Sequence, residues 1–326
     1  MTSRRTGAPG AHQTGTGPDP GIATRRTRPS RRPARYTRAD ERTHVPLGPA
    51  GRREPGTDHI ATARGMTMAA TEPGAERQPP ILEARELTMH YRLGETTVEA
   101  VRGVSLSVQE GEFVALMGPS GSGKSTLLHL LGGLDRPTSG DVLLQGEVIS
   151  QLNDEQATRL RREKTGFVFQ SFNLIPLLDV TENVALPFTI AGGTRDEVQA
   201  AQVRESISLV DLADKARHRP DQLSYGERQR VAVARALVTN PAILFADEPT
   251  GNLDYTTGSE ILDALWLSCV ARKQTIVLVT HDSKAAAYAD RVLVIGDGRI
   301  RDEIVLGRRA AHDAAPLIAR LAQLGL

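Results

Sequence analysis

The nine residues Gly118-Pro119-Ser120-Gly121-Ser122-Gly123-Lys124-Ser125-Thr126 fit the spacing G-x-x-x-x-G-K-[ST]. Glycines at these intervals let a backbone wrap closely around an anion, with successive N–H groups pointing inward. The lysine then reaches the outer phosphates of a nucleotide, and the hydroxyl of Ser125 can ligate Mg²⁺. An apolar, strand-like run precedes the loop and a helix-compatible run follows it, so the positive end of a helix dipole adds to the anion site. A chance glycine-rich turn would lack that setting. The second chemical element is Ile243-Leu244-Phe245-Ala246-Asp247-Glu248. A carboxylate at the C-terminal end of a buried strand lies where a parallel sheet opens its ligand crevice. Asp247 is expected to hold Mg²⁺, usually through water, and Glu248 to face the other way and polarise an attacking water. Two acids in this place could be only a solvated turn. Beside a phosphate loop they point to hydrolysis of a nucleotide.

The elements that must position these residues are visible as short apolar runs over 111–117, 166–169, 242–246, 275–279 and 291–295. Each is β-branched or aromatic in character and hydrophobic on both faces, which predicts strands of a sheet covered on both sides. Helical stretches are expected between them, over 127–131, 195–212 and 227–238. Strand–helix alternation predicts an α/β fold with a mostly parallel sheet. Residues 82–87 and 101–108 alternate apolar and polar, more like an antiparallel layer exposed on one side. Ser105, Trp266 and Cys269 are read as packing.

Composition bounds the alternatives. The 326 residues hold 40 Lys+Arg against 39 Asp+Glu, a net charge of +1 that conceals an asymmetry. Residues 1–80 carry 14 Arg, no Lys and 7 acids, while 81–326 carry 26 basic and 32 acidic residues. The part expected to fold is therefore mildly acidic, which argues against duplex binding and predicts no specific nucleic-acid partner. A single cysteine excludes an intramolecular disulfide framework. No apolar run approaches the ~20 residues needed to span a bilayer. With 11 Pro and 10 Gly, residues 1–80 read as a disordered basic extension that cannot offset its ordering entropy. The texture changes just after Met66 and Met68, which raises a second reading, that translation starts at one of them. Arg4-Arg5 and Arg25-Arg26 lack the apolar stretch an export signal requires.

Downstream of the loop stands Leu223-Ser224-Tyr225-Gly226-Glu227-Arg228-Gln229-Arg230. It is similar to the signature motif of ATP-binding cassette (ABC) ATPases, and the order of motifs matches too: phosphate loop, Gln170, signature, Asp247-Glu248, Gly251-Asn252-Leu253-Asp254, His281. The resemblance covers roughly residues 81–306. Phe169-Gln170-Ser171-Phe172-Asn173-Leu174-Ile175-Pro176 and Thr181–Pro187 resemble one branch, the ATPases of lipoprotein-releasing and macrolide-exporter systems together with a related cell-division ATPase. The implied architecture is a P-loop NTPase of ABC type: a mostly parallel core over 81–306, an N-terminal antiparallel β subdomain, and an inserted helical subdomain at about 171–235. A tail over 307–326 follows, where Leu317, Ile318, Leu321 and Leu324 are spaced for one helical face with Pro316 in the first turn.

The resemblance also implies a division of labour. Two copies pair head to tail with each ATP between one phosphate loop, Gly118 to Thr126, and the other copy's Ser224 and Gly226. Tyr91 corresponds to the adenine-stacking aromatic, Gln170 to a residue contacting Mg²⁺ and the attacking water, and His281 to the switch that binds the outer phosphate and orients Glu248. Asp254 corresponds to an acid at the dimer seam. Two departures stand out, Tyr225 for Gly and Glu227 for Gln. Ser224 followed three residues later by Glu227 is also a capping-box pattern, so Glu227 is expected to point along its own helix. Phe172, Leu174, Ile175, Leu177 and Leu178 form an apolar patch, either a docking place for a membrane permease or the core of the helical lobe. The implied function is the ATP-hydrolysing subunit of an exporter-type transporter, acting as a homodimer on the cytoplasmic face of the membrane with a separately encoded permease. The alternative is a regulator like the cell-division relative, moving no solute. A DNA-repair ATPase would need a long coiled-coil or zinc insertion, and only 53 residues separate Gln170 from Ser224.

Overall fold

The computed structural model describes residues 79–94, 96–192, 196–308 and 313–324. The reading of 1–80 as a disordered extension, and of a start at Met66 or Met68, lies outside them but for residues 79 and 80. Strands β1 (Leu82–Leu93) and β2 (Thr96–Val108) form an antiparallel pair. Then come β3 (Phe113–Met117), α1 (Lys124–Leu131), β4 (Ser139–Leu144), β5 (Glu147–Val148), α2 (Asp154–Lys164) and β6 (Thr165–Val168). The helical part follows as α3 (Val180–Val184), α4 (Leu186–Ile190), α5 (Glu197–Leu209) and α6 (Tyr225–Leu237). The chain closes with β7 (Ile243–Asp247), α7 (Tyr255–Arg272), β8 (Thr275–Thr280), α8 (Ser283–Ala286), β9 (Arg291–Gly296), β10 (Arg299–Val305) and α9 (Ala315–Gln323).

The strands make two sheets. One is antiparallel, ordered β2-β1-β4-β5; the other is ordered β10-β9-β3-β8-β7-β6, parallel except for β10 at its edge. Every residue of β3 and of β8 is buried. Phe113, Ala115 and Met117 face a core shared with the helical elements and α7, and Val114 and Leu116 face a second core under α1 and the antiparallel sheet. Polar groups clamp the entry to β3. The amide of Phe113 donates to Asp290 Oδ2 at 3.0 Å, that of Gly111 to Thr275 Oγ1 at 3.0 Å, and Arg291 Nε donates to Glu112 Oε1 at 2.8 Å.

The buried strands fall within a residue or two of their expected limits. The helix expected over 195–212 is Glu197–Leu209, capped at its start by Asp196, whose carboxylate accepts the Gln199 amide at 2.7 Å; residue 195 is outside the described set. In α9 only Leu317 and Leu321, four apart, reach the core, while Ile318 and Leu324 are exposed. A single face of the helix holds the i, i+4 pair but not all four positions. Ser105 pairs its hydroxyl with Glu86 Oε1 at 2.8 Å, Trp266 packs half-buried on the core, and Cys269 is buried. Among the described residues no helix is long and apolar enough to cross a membrane.

Candidate functional site

The phosphate loop joins the buried end of β3 to the first turn of α1, as the alternation of strand, glycine-rich loop and helix requires. Gly123 caps α1 at φ 99°, and a Cβ on it would stand 2.2 Å from the Ala100 carbonyl oxygen, so only glycine fits between loop and β2. Lys124 is buried, and its ammonium donates to the carbonyls of Gly118 and Pro119, each at 2.9 Å. Burial lowers its pKa, opposed by the nearby Glu248 and Asp247 charges. Ser122 Oγ is buried without a hydrogen-bond partner. A cavity of about 430 Å³ opens here, lined by Ser120, Gly121, Lys124, Ser125, Thr126 and Glu248 among others. An orphaned hydroxyl, a tight glycine turn and a buried cation together make a site that a polyphosphate completes.

Asp247 ends β7, and its Oδ1 accepts the Ser125 hydroxyl at 2.9 Å across from α1. Desolvation raises its pKa, with the Ser125 hydrogen bond acting in opposition. His129 Nε2 lies 3.9 Å from the other carboxylate oxygen. Glu248 turns away: its backbone is left-handed at φ 44°, its amide donates to the Val279 carbonyl at 3.0 Å, and its Oε1 lies 3.2 Å from His281 Nδ1. A left-handed non-glycine residue is a conformation that the surroundings must hold in place, and such residues gather at functional sites. Among the described residues no cluster of three or more His, Cys, Asp or Glu side chains forms a metal cage. The Ser125 hydroxyl and the Asp247 carboxylate, in contact with each other, are hard oxygen donors of the chemistry that fits a divalent cation keeping water and phosphate oxygens in its shell.

Gln170 lies just past β6. Its Nε2 and Glu248 Oε2 stand 3.1 and 3.2 Å from where a Cβ on Gly251 would be, so both converge beside the Asp247-Glu248 turn. The segment around it is strapped to α6: Gln229 Nε2 donates to the Phe169 carbonyl at 3.1 Å, and Arg235 donates to the carbonyls of Phe172 at 2.7 Å and Asn173 at 2.6 Å. Sequence reasoning assigned no role to Gln229 or Arg235, because their partners lie some sixty residues away. The apolar patch divides. Ile175 and Leu177 are exposed, whereas Leu174 packs half-buried against the core.

Ser224 caps α6, and its side chain and that of Glu227 complete the reciprocal box read from the sequence. Glu227 also pairs with Lys215, and these two bonds, the Lys215 one first, hold its carboxyl down at about 2 against the usual 4.5. It points along its own helix, as expected. Because the folded-state pKa is depressed, the stability that Glu227 contributes is complete above about pH 4.5 and fades as pH falls towards 2. Glu227→Gln is therefore expected to cost about 2 kcal/mol at pH 7, and less as the pH drops through that window. Denaturant midpoints at pH 7 and pH 3 check this; an unchanged gap would mean that charge is not what Glu227 supplies.

A Cβ on Gly226 would stand 2.1 Å from the Thr257 methyl, so this glycine lets α6 lie tightly on α7, a packing role the sequence did not disclose. Asp254 caps α7, accepting the amides of Thr256 and Thr257 at 3.1 Å each. Tyr91 lies in β1, with its hydroxyl 3.4 Å from Asp135 Oδ2, and burial raises its pKa. The phosphate loop, Asp247, Glu248, His281 and Gln170 thus gather at the C-terminal edge of the parallel sheet. Among the described residues no hydrogen bond joins Ser224 or Gly226 to the phosphate loop of the same chain.

A family model described as ABC transporter matches residues 101–251. The lipoprotein-releasing system ATP-binding protein LolD of Geobacter metallireducens is 48% identical over 220 residues, which cover 68% of this chain and 97% of that protein. The macrolide export ATP-binding/permease protein MacB of Hyphomonas neptunium is 44% identical over 236 residues, covering 72% of this chain but only 36% of MacB. A solved dimeric, post-hydrolysis structure of the ATP-binding cassette MJ0796 bound to ADP and phosphate superposes with a TM-score of 0.65 at 42% identity, covering 70% of this chain and all of that one.

Proposed function

Because the chain belongs to the ATP-binding subunits of ABC transporters, we propose that it works as a pair of copies at the cytoplasmic face of a membrane, where MgATP binding and hydrolysis drive a separately encoded permease. ATP binding and hydrolysis are the family's activity. Pairing is supported by the dimeric form of the MJ0796 cassette, and the export direction by the kinship with the lipoprotein-releasing LolD and the macrolide-export MacB. The relatives are transport proteins, which favours transport over a purely regulatory role. The observation that carries the reading is the run of contacts from the phosphate loop through Ser125 to Asp247, with the Glu248–His281 pair beside it.

Lys124 and the loop amides would cradle the outer phosphates, and Tyr91 would flank the base. Ser125, Asp247 and Gln170 are the residues to hold Mg²⁺, which when bound neutralises charge on the phosphates. Glu248 would accept the proton of the attacking water, and His281 would keep that carboxylate aimed and touch the outer phosphate. Ser224 and Gly226 would serve the nucleotide of the other copy, where the start of helix α6 would offer its positive end to the phosphates. Phosphoryl transfer asks for positioning and charge stabilisation more than covalent chemistry, and these groups supply both. ATP turnover by the purified chain with its permease, measured with and without Mg²⁺, tests the reading. Absence of turnover would remove it, and turnover indifferent to Mg²⁺ would remove the metal assignment.

The catalytic core would occupy 81–306, with 1–80 an appendage. Removal of residues 1–65 is expected to leave ATP turnover and co-purification of the permease at full level; a large loss in either would give the basic segment a function. The helical part would carry the permease contact. Leu177 is 77% exposed, so a charge there leaves the core alone. Leu177→Asp is expected to abolish co-purification with the permease while nucleotide binding persists. Recovery of the permease at the normal yield would place the docking surface elsewhere.

A further inference from the structure

Tyr225, which stands where the resembled signature most often has glycine, is engaged on three sides. Its ring meets Phe172 edge-on, with centroids 4.4 Å apart and planes inclined at 71°. Its hydroxyl accepts a hydrogen bond from Asn252 Nδ2 at 2.9 Å. The guanidinium of Arg228 lies over both rings, 5.2 Å from the centroid of Phe172 and 5.7 Å from that of Tyr225, and its Nε donates to the Ser224 carbonyl at 3.4 Å. Aromatic edge contacts and cation–π contacts are both attractive, so the cluster ties together segments far apart in sequence.

What it ties is informative. Phe172 lies two residues after Gln170, and Asn252 follows Gly251, beside which Gln170 and Glu248 converge. Tyr225 itself adjoins Ser224. The cluster therefore joins two loops bearing groups for this copy's own nucleotide to the helix start that would serve the other copy's nucleotide. A glycine at 225 could make none of these contacts. We infer that Tyr225 is a positioning residue that couples the Gln170 and Glu248 loops to the signature at Ser224, so that the two nucleotide sites of a pair act in concert. This rests on the paired reading above and names the coupling within it.

The test is a double-mutant cycle on the full chain. Tyr225→Phe removes only the hydroxyl and keeps the ring, Asn252→Ala removes the donor, and both are combined in a third variant. Each single change is expected to lower kcat for ATP about two- to fivefold, the scale of one solvent-accessible hydrogen bond. The double variant should lose no more than either single one, and binding of a fluorescent ATP analogue should keep its wild-type affinity. Tyr225→Gly, which also discards the ring contacts, should fall further and should flatten any sigmoidal dependence of rate on ATP. A tie that serves stability alone would show the non-additivity in Tm and leave kcat untouched. Wild-type kcat in Tyr225→Phe, or losses that multiply in the double variant, would overturn the coupling while the ATPase reading stands. A wild-type chain without turnover would overturn both.

Discussion

Glu248→Gln is expected to lower ATP turnover by roughly 10²–10⁴, the range for loss of a general base. The change is close to isosteric, so the left-handed turn at Glu248, its amide bond to Val279 and its place beside His281 can all persist. Nucleotide binding should survive, because the hydrogen bonds of Lys124 to the loop carbonyls and of Ser125 to Asp247 do not involve Glu248. If hydrolysis is what reopens the pair, the variant should accumulate as an ATP-bound dimer, visible by size-exclusion chromatography with ATP and Mg²⁺. His281→Ala should resemble it, since His281 contacts the same carboxylate. A rate near wild type in Glu248→Gln would move the proton acceptor elsewhere, with Gln170 and His281 next in line.

Lys124→Ala is expected to fail one step earlier. The ammonium is buried and held by two loop carbonyls, so it waits as a preformed cation at the mouth of α1. Losing charge-assisted hydrogen bonds to phosphate should weaken ATP about 10- to 150-fold. Equilibrium binding and size exclusion should then show a weak binder that stays monomeric with ATP, the opposite of Glu248→Gln. ATP affinity at the wild-type level would mean that the loop amides alone carry the phosphates.

The contrast between legible and hidden parts follows from distance along the chain. The buried parallel strands, the phosphate loop and the Ser224–Glu227 box are local patterns, each complete within a dozen residues, and the structure repeats them closely. Helix α2 left no apolar stripe: Leu160 is its only buried residue, and the helix is held by the reciprocal cap of Asn153 and Gln156 and by Arg161 reaching the Gly133 carbonyl at 2.8 Å. Periodicity cannot find such a helix. Strands β4 and β5 were equally unmarked, being short and half-exposed. At the site, sequence order placed Gln170, Asp247, Glu248 and His281 at strand ends, but not the straps from Gln229 and Arg235 that hold the Gln170 segment. The fit of Gly226 against Thr257 was hidden for the same reason, since a glycine in a motif does not say which neighbour excludes its Cβ.

The uniform burial of β3 has a consequence for folding fidelity. Alternating strands lock their alignment because a slip of one residue turns their apolar side to water. With both faces apolar, β3 would pay little in hydrophobic burial for sliding against β8 and β9. The choice of alignment falls instead to the polar clamps at its entry, where the Phe113 amide meets Asp290, the Gly111 amide meets Thr275 and Arg291 meets Glu112. A slip would strand these groups, partly buried, without partners. Gly118 follows directly on Met117, the last residue of β3, so the same clamps at the far end of the strand act as a ruler that decides where the anion cradle begins.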